Sequence, residues 1–125
     1  MVSPWIHNGS LTTYLEHRFT KMTMEQKLLI VTRDNNITVH SKGVVHGDLT
    51  ANNILIDSDR NAHVADHGIL TMCSEFSGTS YIRSNVRWAV PELFEVPESE
   101  ESLTPQPASD IYSFGCTMLQ VRGVP

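Results

Sequence analysis

His46-Gly47-Asp48-Leu49-Thr50-Ala51-Asn52-Asn53-Ile54-Leu55-Ile56, followed by Ala65-Asp66-His67-Gly68, is the stretch on which the reading of this chain turns. Ile54-Leu55-Ile56 is apolar with two β-branched isoleucines, which suits a buried strand, and Val44-Val45 has the same character on the other side of the loop. Asp57-Ser58-Asp59-Arg60-Asn61 is turn chemistry, because short polar side chains bond their own backbone and tolerate left-handed conformations. Ala62-His63-Val64-Ala65 then reads as the returning strand, so the pattern predicts a hairpin with Asp66 at its exit. Asn53 follows Asp48 by five residues and Asp66 follows it by eighteen. Two carboxylates and a carboxamide therefore lie on the loops that enter and leave one hairpin.

Working outward, Val2-Ser3-Pro4-Trp5-Ile6 is a short apolar segment, and Asn8-Gly9-Ser10 supplies a turn and a helix cap before Leu11, Tyr14 and Leu15. The expected order is edge strand, turn, helix. From Met22 to His40, apolar residues at 24, 28, 31, 37 and 39 roughly follow one helical face, weakened at Asp34-Asn35-Asn36 and stopped by Lys42-Gly43. Residues 69–85 are rich in Ser and Thr and read as a long loop. Pro91-Glu92 opens a short helical turn at Leu93-Phe94, and 96–108, with Pro97, Pro105 and Pro107, reads as a solvated linker. Ser109-Asp110 looks like a helix start, with Ile111, Phe114 and Met118 as its apolar face; Gly115 within that helix predicts close packing against a neighbour. No internal repeat is visible.

Composition narrows the classes. At 125 residues, 40% hydrophobic and 18% charged, the chain suits one small folded domain rather than a disordered segment or fibre. A net charge of −5 without any basic run argues against a nucleic-acid surface or an anionic membrane surface. No apolar stretch approaches the ~20 residues of a membrane span, and no signal-peptide pattern follows Met1, so cytoplasm or nucleus is the expected location. Cys73 and Cys116 lack CxxC spacing, which favours reduced thiols over a disulfide or a zinc site.

Taken together, these motifs resemble a protein kinase of the Ser/Thr or tyrosine-kinase-like kinds, along nearly the whole chain. The resemblance implies an α+β fold: the mainly helical large (C-terminal) lobe, with a short β-hairpin carrying the catalytic and metal loops and the small lobe absent. Residues 1–125 would be a partial domain that uses ATP and Mg2+ and takes a protein substrate. Asp48 would accept the proton of the substrate hydroxyl, and Asn53 and Asp66 would hold magnesium. His46 and Gly68 would be structural. Arg87-Trp88-Ala89-Val90-Pro91-Glu92 resembles the Ala-Pro-Glu signature that closes an activation loop, with Val90 where Ala is usual and Glu92 structural. Ser109 to Gly115 resembles the start of the central helix, whose Asp110 would bond the catalytic-loop backbone. Val2 to Ile6 resembles the hinge, where the backbone near Ile6 would meet adenine. Ser77, Thr79, Ser80 and Tyr81 are candidates for regulatory phosphorylation.

Departures from the family pattern qualify activity. Gly47 stands in place of Arg, so no cation is there to clamp a phosphorylated loop. Thr50 replaces a Lys that would neutralise the transferring phosphoryl group, and His67 replaces Phe. No Gly-x-Gly-x-x-Gly occurs, and Lys21, Lys27 and Lys42 lie in or beside the helices before the loop, none where the nucleotide-binding strand Lys belongs. The chain alone is thus expected to turn over poorly or not at all, and to expose a helix meant to be buried. The alternatives are a pseudokinase acting as a binding module and, less favoured, a small-molecule phosphotransferase of the aminoglycoside or choline kinase kind. In that group His-Gly-Asp-Leu-x-x-x-Asn is written the same way, but the 88–92 and 109–115 motifs are not normally seen.

Overall fold

The computed structural model describes residues 5–32, 45–66, 86–91 and 106–123. The chain divides into two compact units, one made of residues 1–38, 51–65 and 118–125, the other of 39–50 and 66–117.

In the first unit, helix α1 (Leu11–Arg18) begins where Ser10 caps it: Ser10 is extended (φ −74, ψ 158) and its Oγ accepts the Thr13 N–H. Leu11, Tyr14 and Leu15 are buried, the i, i+3, i+4 spacing of a helix with one face inward. Gly9 sits at φ +68, a left-handed value open to glycine, and its carbonyl accepts the Ile56 N–H at 2.8 Å. Of the expected edge strand at Val2 to Ile6, residues 1–4 lie outside the described residues, and Trp5, 84% exposed, and Ile6 are in no strand; the one isolated bridge falls later, Ser10 opposite Leu55.

After a 3-10 turn at Phe19–Lys21, α2 (Met24–Thr32) opens with a reciprocal cap. The Gln26 N–H bonds Thr23 Oγ1, and the Thr23 N–H bonds Gln26 Oε1, which satisfies two donors the helix leaves unpaired. The buried side is Lys27, Ile30 and Val31, so the expected 24/28/31 face is rotated: Met24 is exposed and Leu28 half-buried. Lys27 goes inward because its ammonium stacks on the Phe19 ring, 3.1 Å from the centroid, while its alkyl stem buries as any aliphatic would. The weak helical centre at 34–36 and the stop at 42–43 lie outside the described residues.

Strands β1 (Ile54–Ile56) and β2 (Ala62–Val64) pair antiparallel in the register Ile54↔Val64, Leu55↔His63, Ile56↔Ala62. Asp57 organises the turn between them. Its carboxylate accepts the backbone N–H groups of Asp59 and Asn61 at 2.9 and 2.8 Å and the Asn61 carboxamide at 3.2 Å, and lies 2.9 Å from His63 Nε2. The Asn8 side-chain amide donates to the Asp57 carbonyl. Chiefly through His63, then through the Asn61 backbone bond, the Asp57 carboxyl is held down at about 2 from an ordinary 3.8.

The second unit contributes a 3-10 turn at Val86–Trp88 and most of helix α3 (Pro107–Arg122), whose final residues belong to the first unit. Helix α3 starts two residues before Ser109, because proline's fixed φ and missing N–H suit the first helical position. The sidedness differs from expectation. Buried positions are Ser109, Asp110, Ser113 and Thr117, with Val121 the one buried apolar residue, whereas Ile111 is 66% exposed and Phe114 and Met118 are half-buried. Gly115 is exposed and a Cβ there would meet nothing within 4 Å, so the expected close packing is absent among the described residues. The helix stops at Gly123 (φ +85), where a Cβ would come 2.6 Å from the Phe19 ring, which makes glycine obligatory on both counts.

The described residues are thus mainly helical with one two-stranded antiparallel sheet, the large-lobe architecture that the resemblance implied. Among them no helix is long and apolar enough to cross a membrane. Cys116 is a free thiol. Val45, expected to have strand character, is half-buried and outside any strand.

Candidate active site

Helix α3 delivers Asp110 to the interior, where it is 3% exposed. A buried carboxylate is costly unless its oxygens are satisfied. Here Oδ2 accepts the His46 N–H at 2.7 Å and Oδ1 accepts the Gly47 N–H at 2.8 Å, two charge-assisted bonds to consecutive amides. The next amide is also engaged: the Asp48 N–H donates to His46 Nδ1 at 3.2 Å, and that bond defines Nδ1 as the acceptor nitrogen of the buried ring. Gly47 lies at φ +80, which lets two successive N–H groups point at one carboxylate without a Cβ penalty. Leu49 and Thr50 are buried at 3% and 1% exposure, while Asp48 between these anchors is half-buried. The loop is pinned through its backbone and leaves the Asp48 side chain partly accessible.

On the hairpin, the Asn53 carbonyl accepts the Ala65 N–H at 2.8 Å, which carries the ladder one residue beyond Ile54↔Val64. Asn53 is half-buried. Asp66, the residue after Ala65, is exposed at φ +60, a conformation that aspartate tolerates better than most side chains. Among the described residues no group of three or more His, Cys, Asp or Glu gathers as a metal cage. Magnesium does not need one, since it keeps several waters and takes one or two carboxylates together with phosphate oxygens; an exposed carboxylate and a carboxamide are a donor set that fits it.

Ile6 is half-buried and its carbonyl accepts the Gly9 N–H at 3.3 Å. Gly68, Glu92 and the phosphorylation candidates Ser77, Thr79, Ser80 and Tyr81 lie outside the described residues, as does His67. The structure brings His46, Gly47 and Asp110 together in one unit, and joins Asn53 to the residue preceding Asp66.

One contact was not anticipated from the sequence. Ser113 Oγ donates to the Trp88 carbonyl at 2.6 Å. The available signal was the helical spacing of polar residues at 109, 110, 113 and 117, a stripe that a search for apolar periodicity passes over.

A family model described as protein tyrosine and serine/threonine kinase matches residues 1–123. Among curated proteins, the chain is similar to the RAF proto-oncogene serine/threonine-protein kinase of Xenopus laevis, 25% identical over 126 residues that include 97% of this chain. The chain spans 19% of the length of that relative.

Proposed function

The chain belongs to the protein tyrosine and serine/threonine kinase family, and from that premise we propose that it supplies the large-lobe catalytic portion of an ATP-dependent protein kinase acting on Ser or Thr, or on Tyr, of protein substrates. Asp48 is the general base for the acceptor hydroxyl. Asn53 and Asp66 hold Mg2+, which when bound neutralises the nucleotide phosphates. Ile6 belongs to the segment that meets adenine. The observation that carries this reading is the pair of Asp110 bonds to the His46 and Gly47 amides, which fixes the backbone just before Asp48. Positioning of this kind is most of what a phosphoryl-transfer site provides, because the reaction asks little covalent chemistry of the protein.

A second reading, a nucleotide-binding or docking module without turnover, is favoured by Thr50. It is an uncharged side chain at 1% exposure, so the position brings no cation to a developing phosphoryl charge. Gly47 in place of Arg points the same way.

Thermal shift with Mg-ATP, followed by phosphate transfer from labelled ATP to mixed Ser, Thr and Tyr peptides, separates the readings. Nucleotide at five times its Kd stabilises by about 1 kcal/mol. That shift is expected with Mg-ATP, absent with ATP and EDTA, and lost in Asp66→Ala. Any transfer is expected to fall by ~10²–10⁴ in Asp48→Asn. Transfer surviving Asp48→Asn overturns the base assignment, a shift without transfer supports the module, and no shift at millimolar Mg-ATP overturns the nucleotide site.

A further inference from the structure

Helix α3 carries a second inward polar group one turn beyond Asp110. Ser113 is 6% exposed, with Oγ 2.6 Å from the Trp88 carbonyl and 2.9 Å from the Ser109 carbonyl. A hydroxyl has one proton to give. The Ser109 carbonyl is the i−4 acceptor that the helix already supplies with the Ser113 N–H, so the Trp88 carbonyl is the partner that depends on the hydroxyl. The Trp88 side chain adds no polar anchor among the described residues, since its indole Nε1 is buried without a hydrogen-bond partner there. Asp110 and Ser113 are three residues apart on one helical face, about 4.5 Å of axial rise. A single turn thus holds both the loop before Asp48 and the turn that contains Trp88.

We propose that Ser113 is a positioning residue: its hydroxyl sets where the 86–91 segment sits relative to the loop that presents Asp48. The catalytic consequence rests on the kinase reading, but the tie itself does not. The hydroxyl is the only part of the Ser113 side chain able to make a directional bond, and its removal frees the Trp88 carbonyl while leaving the two Asp110 bonds intact.

The test uses the full chain carrying Trp5→Phe, which leaves Trp88 as the sole tryptophan of the two present. Its emission maximum and acrylamide quenching are measured alongside hydrogen exchange of the His46 and Gly47 amides. Ser113→Ala is expected to red-shift Trp88 and raise its quenching constant with both amides still protected, and Ser113→Thr, which keeps the hydroxyl, to retain the parent signal. If Ser113→Ala does not fold, Ser113→Cys keeps the volume with a weak donor and is expected to give the same red shift. Parent-like Trp88 fluorescence in the Ala or Cys variant overturns the proposal, as does a Thr variant red-shifted as far as Ala. Failure of the Mg-ATP shift would sink the kinase reading and leave the fluorescence result standing.

Discussion

Asp110 and Asp57 do the same work in two settings. Each is a carboxylate that collects backbone N–H groups and so fixes a loop. Asp110 does it from 63 and 64 residues away and at 3% exposure. Asp57 does it within its own turn, for partners two to six residues off, with its side chain 27% exposed. The difference decides what each is worth. Where solvent is excluded, a lost acceptor leaves donors that water cannot serve; at the turn, water replaces it.

The largest effect is therefore expected at Asp110. Its replacement by Ala orphans two N–H groups at ~1–3 kcal/mol each, about 2–6 kcal/mol in all, read as a lower urea midpoint with unchanged slope. Asp110→Asn, able to accept only one of the two, should lose about half as much. A loss below that of Asp57→Asn would break the comparison. Next is Gly47→Ala, which places a Cβ at φ +80 and should cost ~1–2 kcal/mol by the same measurement. Equal stability would mean that the loop can satisfy Asp110 from another conformation.

The smallest effect, and the one that sharpens the contrast, is the pH dependence from Asp57. Its folded pKa is depressed from 3.8 to about 2, so its contribution is fully present above pH 3.8 and is lost as pH falls through about 2. Unfolding midpoints between pH 5 and pH 2 should fall more steeply in the parent than in Asp57→Asn. Identical slopes would remove the turn's claim to any stabilising charge.

What was legible in the sequence follows from range. The Ser10 cap, the hairpin and the Asp57 turn declare themselves within a few residues, and all three formed where expected. The tie from Asp110 to His46 and Gly47 spans half the chain; no local pattern encodes it, and only the family resemblance pointed there. Helix α3 was found, but its face was misjudged. Apolar periodicity selects Ile111, Phe114 and Met118, while four of the five buried positions are polar and Val121 is the fifth; Asp110 and Ser113 go inward because their hydrogen bonds hold neighbouring backbone. Lys27 misled in the same way, its burial depending on an aromatic partner eight residues earlier.

An inward stripe of hydroxyls and a carboxylate on α3 changes the kind of constraint the helix imposes. Greasy seams are indifferent to angle and let elements slide or roll over one another at little cost. Donor–acceptor bonds weaken steeply once bent, so Ser113 and Asp110 dictate the orientation of the peptide planes they grip as well as their location. Such a helix behaves as a jig, and a swap to a bulkier aliphatic at either residue would lose alignment even where it gained contact area.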